Sequence, residues 1–192
     1  MFRAEGEKSS VYLTFDDGPI PESTPLLLGM LREADAKATF FMVADNARRY
    51  PHLHKAVVDE GHAVGNHTFH HRPPYKDGLK KLMDDVSLAD SYLGSRLFRP
   101  PHGLMTLRQQ KALHDAGYRI VMFDLNTGDY RPDRTPEEIV RAVEKYVRPG
   151  CVINMHDSLK SIDKLRVALP EILRILRQRG YTFEVLDSGI RN

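Results

Sequence analysis

"YLTFDDGPIP", residues 12–21, places two adjacent carboxylates, Asp16 and Asp17, after an alternating apolar run and before a Gly-Pro turn. Successive side chains of a strand point to opposite faces, so neighbouring carboxylates can converge on one point only where the strand breaks, and Gly18 and Pro19 supply that break. The stretch therefore reads as a buried strand that ends in a site. The competing reading of these residues alone is a solvated turn, with Asp favoured for its local backbone hydrogen bonds.

Working outward, short β-rich runs alternate with helical patterns. The expected strands are "VYLTF", "ATFFMV", "HAVGN", "LFR", "RIVMF", "CVINM" and "YTFEVL". Between them lie helical patterns opening at Thr24-Pro25, in "PHLHKAVVDEG", "LKKLMDDVSLADSYLG", "TLRQQKALHDAG" and "TPEEIVRAVEKYV", and from about Asp163 to Gly180. Thr135, Pro136 and Glu138 form an N-terminal cap signature, and Gly94, Gly117 and Gly180 follow helix ends. Such alternation argues for βαβ units and a parallel sheet. Seven β/α units in so short a chain suit a distorted (β/α)7 barrel better than an open doubly wound sheet, since a complete eight-fold barrel usually takes about 250 residues. Nothing marks a second domain, so residues 1–192 read as one unit.

The 28 Lys and Arg against 26 Asp and Glu, with no long basic run, lack the footprint of a nucleic-acid binder, and a neutral partner fits better. The single cysteine, Cys151, excludes an internal disulfide framework and a cysteine-rich zinc site. Any metal must therefore be held by the carboxylates and the nine histidines. No window is long and apolar enough to span a membrane, and the start lacks an export-signal pattern. The chain as given reads as cytoplasmic, with export of a longer precursor left open. Oligomeric state is unreadable.

Parallel α/β folds collect function at the C-terminal ends of their strands. The residues just beyond the expected strands are Asp16-Asp17, "NHTFHH", "RPPHG", "DLNTGDY" and "HDS", so ionisable groups gather on one rim. In "GNHTFHH", residues 65–71, two imidazoles on one Zn²⁺ at about 2.0–2.1 Å need nitrogens within roughly 3.5 Å of each other. Four residues along a strand span about 13 Å, so His67 and His71 require a turn-like backbone. His70 is the rival second ligand, and spacing does not choose. In "RPPHG" Arg99 can pair bidentately with a carboxylate, Asp16 being the natural candidate. The prolines donate no N–H, which leaves those of His102 and Gly103 to face a ligand oxygen. His156, with Asp129 beyond the preceding strand, matches a histidine tuned by a carboxylate for acid–base work.

These residues resemble the polysaccharide deacetylases with the NodB-homology domain, metal-dependent amidases acting on N-acetylated sugars. The resemblance spans roughly residues 10–187, with all five family motifs in order. "TFDDGP" implies Asp16 as catalytic base and Asp17 as metal ligand, and "HTFHH" implies His67 and His71 as the other ligands, with His70 outside. "RPPHG" implies Arg99 as the residue orienting the base and the backbone at His102 as an oxyanion donor, although His102 stands where tyrosine is common. "NTGDY" keeps Asp129, replaces the first acid by Asn126 and replaces a tryptophan by Tyr130, which would form the aromatic wall for a sugar. "NMHD" keeps His156 but puts Asn154 where a leucine usually lines the acetyl pocket. The resemblance also implies a distorted barrel and a divalent cofactor, Zn²⁺ foremost with Co²⁺, Ni²⁺ or Fe²⁺ as alternatives. It implies hydrolysis of N-acetyl groups from chitin-type or peptidoglycan glycans. The rival expectations are a non-catalytic glycan-binding protein on the same fold and a deacetylase of O-acetyl esters such as acetylated xylan.

Overall fold

The computed structural model describes residues 9–186, and the two ends of the 1–192 unit lie outside the described residues. The chain runs β1 (Ser10–Asp16), α1 (Thr24–Glu33), β2 (Ala38–Met42), α2 (Ala44–Arg49), α3 (Pro51–Asp59) and β3 (Ala63–Asn66). It continues through α4 (Leu79–Leu93), β4 (Leu97–Phe98), α5 (Leu107–Asp115), β5 (Arg119–Ile120) and β6 (Leu125–Asn126). It closes with α6 (Pro136–Tyr146), β7 (Val152–His156), α7 (Ile162–Gln178) and β8 (Thr182–Phe183). The strands lie parallel in the order β5-β4-β3-β2-β1-β7-β6, with β8 pairing the base of β1. The result is a seven-stranded half-barrel wrapped by helices, in keeping with the expected distorted barrel, and among the described residues no ladder joins β5 to β6.

Two expectations need correction. "RIVMF" is a strand only at Arg119–Ile120, and the chain re-enters the sheet at Leu125–Asn126, which pairs with β7. The six-residue α2 directly after β2 also has no counterpart among the expected helices. The predicted punctuation is present: Thr135 and Glu138 form a reciprocal capping box, and Gly94, Gly117 and Gly180 take φ of 58°, 81° and 81° at helix ends.

Strand alternation sorts β1 and β7 into two faces. Val11, Leu13 and Phe15 of β1, with Ile153 and Met155 of β7, pack outward in one apolar cluster with Leu27 and Leu31 of α1 and Leu165, Leu169, Ile172 and Leu176 of α7. The helical residues recur at three- and four-residue spacing, and each large aliphatic side chain so buried contributes about 1.5–3 kcal/mol. The inward residues climb in layers. Tyr12, Val152, Phe41, Leu97, Val121 and Leu186 form an apolar base. Thr14 and Asn154, paired in register, form a polar middle, and Asp16 and His156, also paired, form the rim.

Phe41 depends on a glycine opposite it. A Cβ on Gly65 would lie 2.3 Å from the Phe41 ring, and the Arg99 guanidinium sits 4.0 Å above the centre of that ring. Gly65→Ala is expected to displace Phe41 and lower stability by about 1–3 kcal/mol, measured by urea denaturation; an unchanged midpoint would show that the ring has room to move.

Candidate active site

The site is assembled around Arg99, which follows β4 and is 1% exposed. Its Nη1 donates to Asp16 Oδ1, Thr14 Oγ1 and Asn154 Oδ1, each at 2.8 Å. Its Nε donates to the Val121 carbonyl at 3.1 Å and Nη2 to that of Met122 at 3.3 Å. Asp16 is thus engaged by one nitrogen rather than by the expected bidentate fork, because the other two face backbone carbonyls. Burial pulls the guanidinium's pKa down and Asp16 opposes that pull. Removing one partner of such a buried pair typically costs about 3–5 kcal/mol.

Asp17 follows with φ of 82°, a left-handed conformation that takes its side chain away from that of Asp16. Its Oδ1 lies 3.1 Å from His71 Nε2 and 3.6 Å from His67 Nε2, and one ligand atom from each of the three lies within 4.8 Å of the others. The turn carrying the histidines is built locally: Asn66 Oδ1 accepts from the Thr68 N–H at 2.9 Å and Thr68 Oγ1 from the His71 N–H at 3.0 Å. Thr68 and His71 have φ of 66° and 55°, which supplies the turn-like backbone that the spacing demanded. His70 instead pairs with Asp85 through both its backbone N–H and its Nδ1, so it stands outside the cluster.

The donor set fits a divalent ion. His67 Nδ1 lies 2.8 Å from the Arg99 carbonyl, which can only accept, so Nδ1 carries the hydrogen and the Nε2 lone pair faces Asp17. Burial pushes the His67 pKa down to about 4, keeping the neutral form that a metal ligand requires. Burial also pushes Asp17 upward, but the His71 hydrogen bond and the charges of His67, His156 and His71 outweigh it and hold the carboxyl below its ordinary range.

Beyond β6, Asp129 is fully buried and accepts at 2.8 Å from the backbone N–H of His156, on the strand next to Asp16. Its Oδ1 lies 2.9 Å from His156 Nδ1, which leaves His156 Nε2 towards the cleft. Burial lowers the His156 pKa, but Asp129, with Asp16 and Asp17 beyond it, raises it above the ordinary value overall. The Tyr130 ring stands edge-on to His156 at 4.8 Å and is 42% exposed, in place to wall the cleft. Asn126 Oδ1 accepts from the Gly128 N–H at 3.0 Å and shapes the turn that delivers Asp129. His102 has φ of 60°, and its ring lies 5.0 Å from that of His71. The Gly103 N–H is spent on the Pro100 carbonyl at 3.0 Å, which removes it as an oxyanion donor; the His102 N–H has no partner among the described residues. Asn154 is 2% exposed and, with the rest of the site, lines a cleft of about 1260 Å³.

Sequence reasoning passed over the supporting role of Asp157. It is fully buried, accepts from Thr24 Oγ1 at 2.6 Å, and burial pushes its pKa up to about 7. A Cβ on Gly18 would come within 2.0 Å of its Oδ2, so this carboxyl and the bare glycine together fix the turn after Asp17. The acid beside His156 was the available signal.

A family model described as polysaccharide deacetylase matches residues 3–121. The chain belongs to the polysaccharide deacetylase family. It is 35% identical over 188 residues to a peptidoglycan-N-acetylglucosamine deacetylase of Bacillus cereus, covering 94% of this chain and 88% of that protein. It is 34% identical over 163 residues to a chitooligosaccharide deacetylase of Azorhizobium caulinodans, covering 81% and 77% of the two chains. A family 4 carbohydrate esterase from Streptomyces lividans, solved with acetate, matches with a TM-score of 0.86 and 30% identity over 94% of each chain. Family and site together identify a metal-dependent deacetylase, with Asp17, His67 and His71 as the group able to hold the ion.

Asp17→Ala and His67→Ala are expected to purify without stoichiometric metal while His70→Ala retains it. Elemental analysis of the three proteins checks this, and metal loss in His70→Ala would return His70 to the ligand set.

Proposed function

We propose that this deacetylase removes N-acetyl groups from N-acetylglucosamine-containing glycans, of the chitin-oligosaccharide or peptidoglycan kind, with Zn²⁺ as the ion. The observation that carries the reading is one cleft that holds Asp16 fixed by Arg99, the Asp17, His67 and His71 group beside it, and the His156–Asp129 pair on the side of the neighbouring strand. The names of the relatives support the substrate class. The N₂O donor set suits Zn²⁺.

When bound, the ion supplies Lewis acidity, making water a stronger acid and the amide carbonyl a better electrophile. Asp16, held by Arg99, takes the proton of the attacking water. The His102 N–H, unpaired among the described residues, is the donor available to the oxygen that becomes negative, and one such donor is worth about 3 kcal/mol. His156 gives its proton to the departing nitrogen, and Asp129 holds the ring so that Nε2 presents it. Tyr130 offers its face to a sugar ring. The opening puzzle of two adjacent carboxylates then has an answer: Arg99 balances one and the ion the other.

Acetate release from chitin oligomers, peptidoglycan fragments and acetylated xylan, with and without chelator, tests the reading; release from the amides that stops on chelation is expected, and release from xylan alone would move the activity to esters. Asp16→Asn is expected to keep its metal but lose turnover by about 10²–10⁴-fold. In Asp129→Asn the carboxylate that favours the charged imidazole is gone, so the His156 pKa falls and the alkaline limb of the kcat/KM profile moves to lower pH. An unmoved limb would take the acid role from His156.

A further inference from the structure

Asn154 lies on the inner face of β7, two residues before His156 and therefore one layer beneath it. Its Oδ1 accepts from Arg99 Nη1 at 2.8 Å and from Thr14 Oγ1 at 3.4 Å. A guanidinium has only donors, so the amide cannot be turned about: oxygen faces Arg99 and Nδ2 faces away from it. Among the described residues Nδ2 has no hydrogen-bond acceptor. Asn154 is 2% exposed and lines the cleft, so an unpaired donor stands one layer beneath His156, at the end of the site closed from below by the apolar base. An acyl group bound there would take water away from that N–H, and a donor so covered without an acceptor is as unfavourable as losing a hydrogen bond.

The substrate's own connectivity decides what meets that donor. In a sugar amide the nitrogen carries the glycan, which must run out along the open cleft. The far end of the acyl group is the one part with no continuation, so it takes the closed end. An acetyl group ends in a methyl, which covers Nδ2 and accepts nothing. A hydroxyacetyl group ends in CH₂OH, whose oxygen accepts the N–H at the expense of one added atom.

We infer that Asn154 reads the acyl end of the substrate and that this chain hydrolyses N-hydroxyacetyl (glycolyl) amino sugars in preference to N-acetyl ones. The inference rests on the proposed amide hydrolysis at this site and needs no further reactant. Water oxygen bonds to the acyl carbon, the C–N bond breaks, the nitrogen gains a proton, and glycolate leaves beside the free amine.

The test compares glycolate and acetate release from matched N-glycolyl and N-acetyl chitooligosaccharides by the metal-loaded protein and by Asn154→Leu. The wild type is expected to favour the glycolyl substrate by about 10-fold or more in kcat/KM, and the variant to lose or invert that ratio. Loss of Oδ1 from Arg99 lowers both rates together and leaves the ratio to report on the donor alone. Equal kcat/KM values in the wild type overturn the inference without recourse to the variant, and leave the deacetylase reading standing. Release of neither acid removes that reading and this inference with it.

Discussion

A guanidinium buried inside a barrel is the constraint that organises this molecule. Arg99 is 1% exposed, and a charge so placed is tolerated only if acceptors gather round it. Acceptors come from β1, from β7 and from the chain leaving β5, which ties elements distant in sequence to one point. The inner face must therefore turn polar at the layer of Thr14 and Asn154, although the layer below it is wholly apolar. Asp16 belongs to the same network, so the group proposed to accept the proton has its position dictated by the interior of the fold and not by a surface loop.

Backbone conformation then separates what the sequence places side by side. Asp17, Thr68, His71 and His102 have φ between 55° and 82°, and apart from Asp35 they are the only non-glycine residues with positive φ among the described residues. Residues outside glycine pay for such geometry, and its concentration around one cleft shows that side-chain direction there outweighs local comfort. Asp16 points inward to a fixed cation, while Asp17 turns towards the Nε2 atoms of His67 and His71. Two chemically identical neighbours thus acquire different partners.

Much of this was legible in the residue order because the decisive elements are long or carry strong punctuation. β1, β2 and β7 have five to seven residues each, and α6 and α7 show both the apolar period and, for α6, its cap. The errors fall where little signal exists. Strands of two residues such as β5 and β6 have no periodicity to read, and α2 is barely more than a turn and a half long. The rim residues stand out in the sequence because strand ends are chemically marked. The choice of His71 over His70 could not come from spacing, since the deciding partner of His70 is Asp85, fifteen residues on. The single-nitrogen grip of Arg99 on Asp16 was equally hidden, because it depends on which backbone carbonyls lie free.

That last point follows from the gap between β5 and β6. Residues 121–124 leave the sheet instead of closing it, and the carbonyls of Val121 and Met122 are exactly those turned to Arg99. Had the strand carried on to meet β6, the Met122 carbonyl would have been drawn into that ladder, while the Val121 N–H, bonded to Phe98, marks its residue as turned to β4. The missing seam thus leaves an electron-rich atom to join those of Asp16, Thr14 and Asn154, and a fully sealed version of this architecture would hold its central cation by fewer contacts.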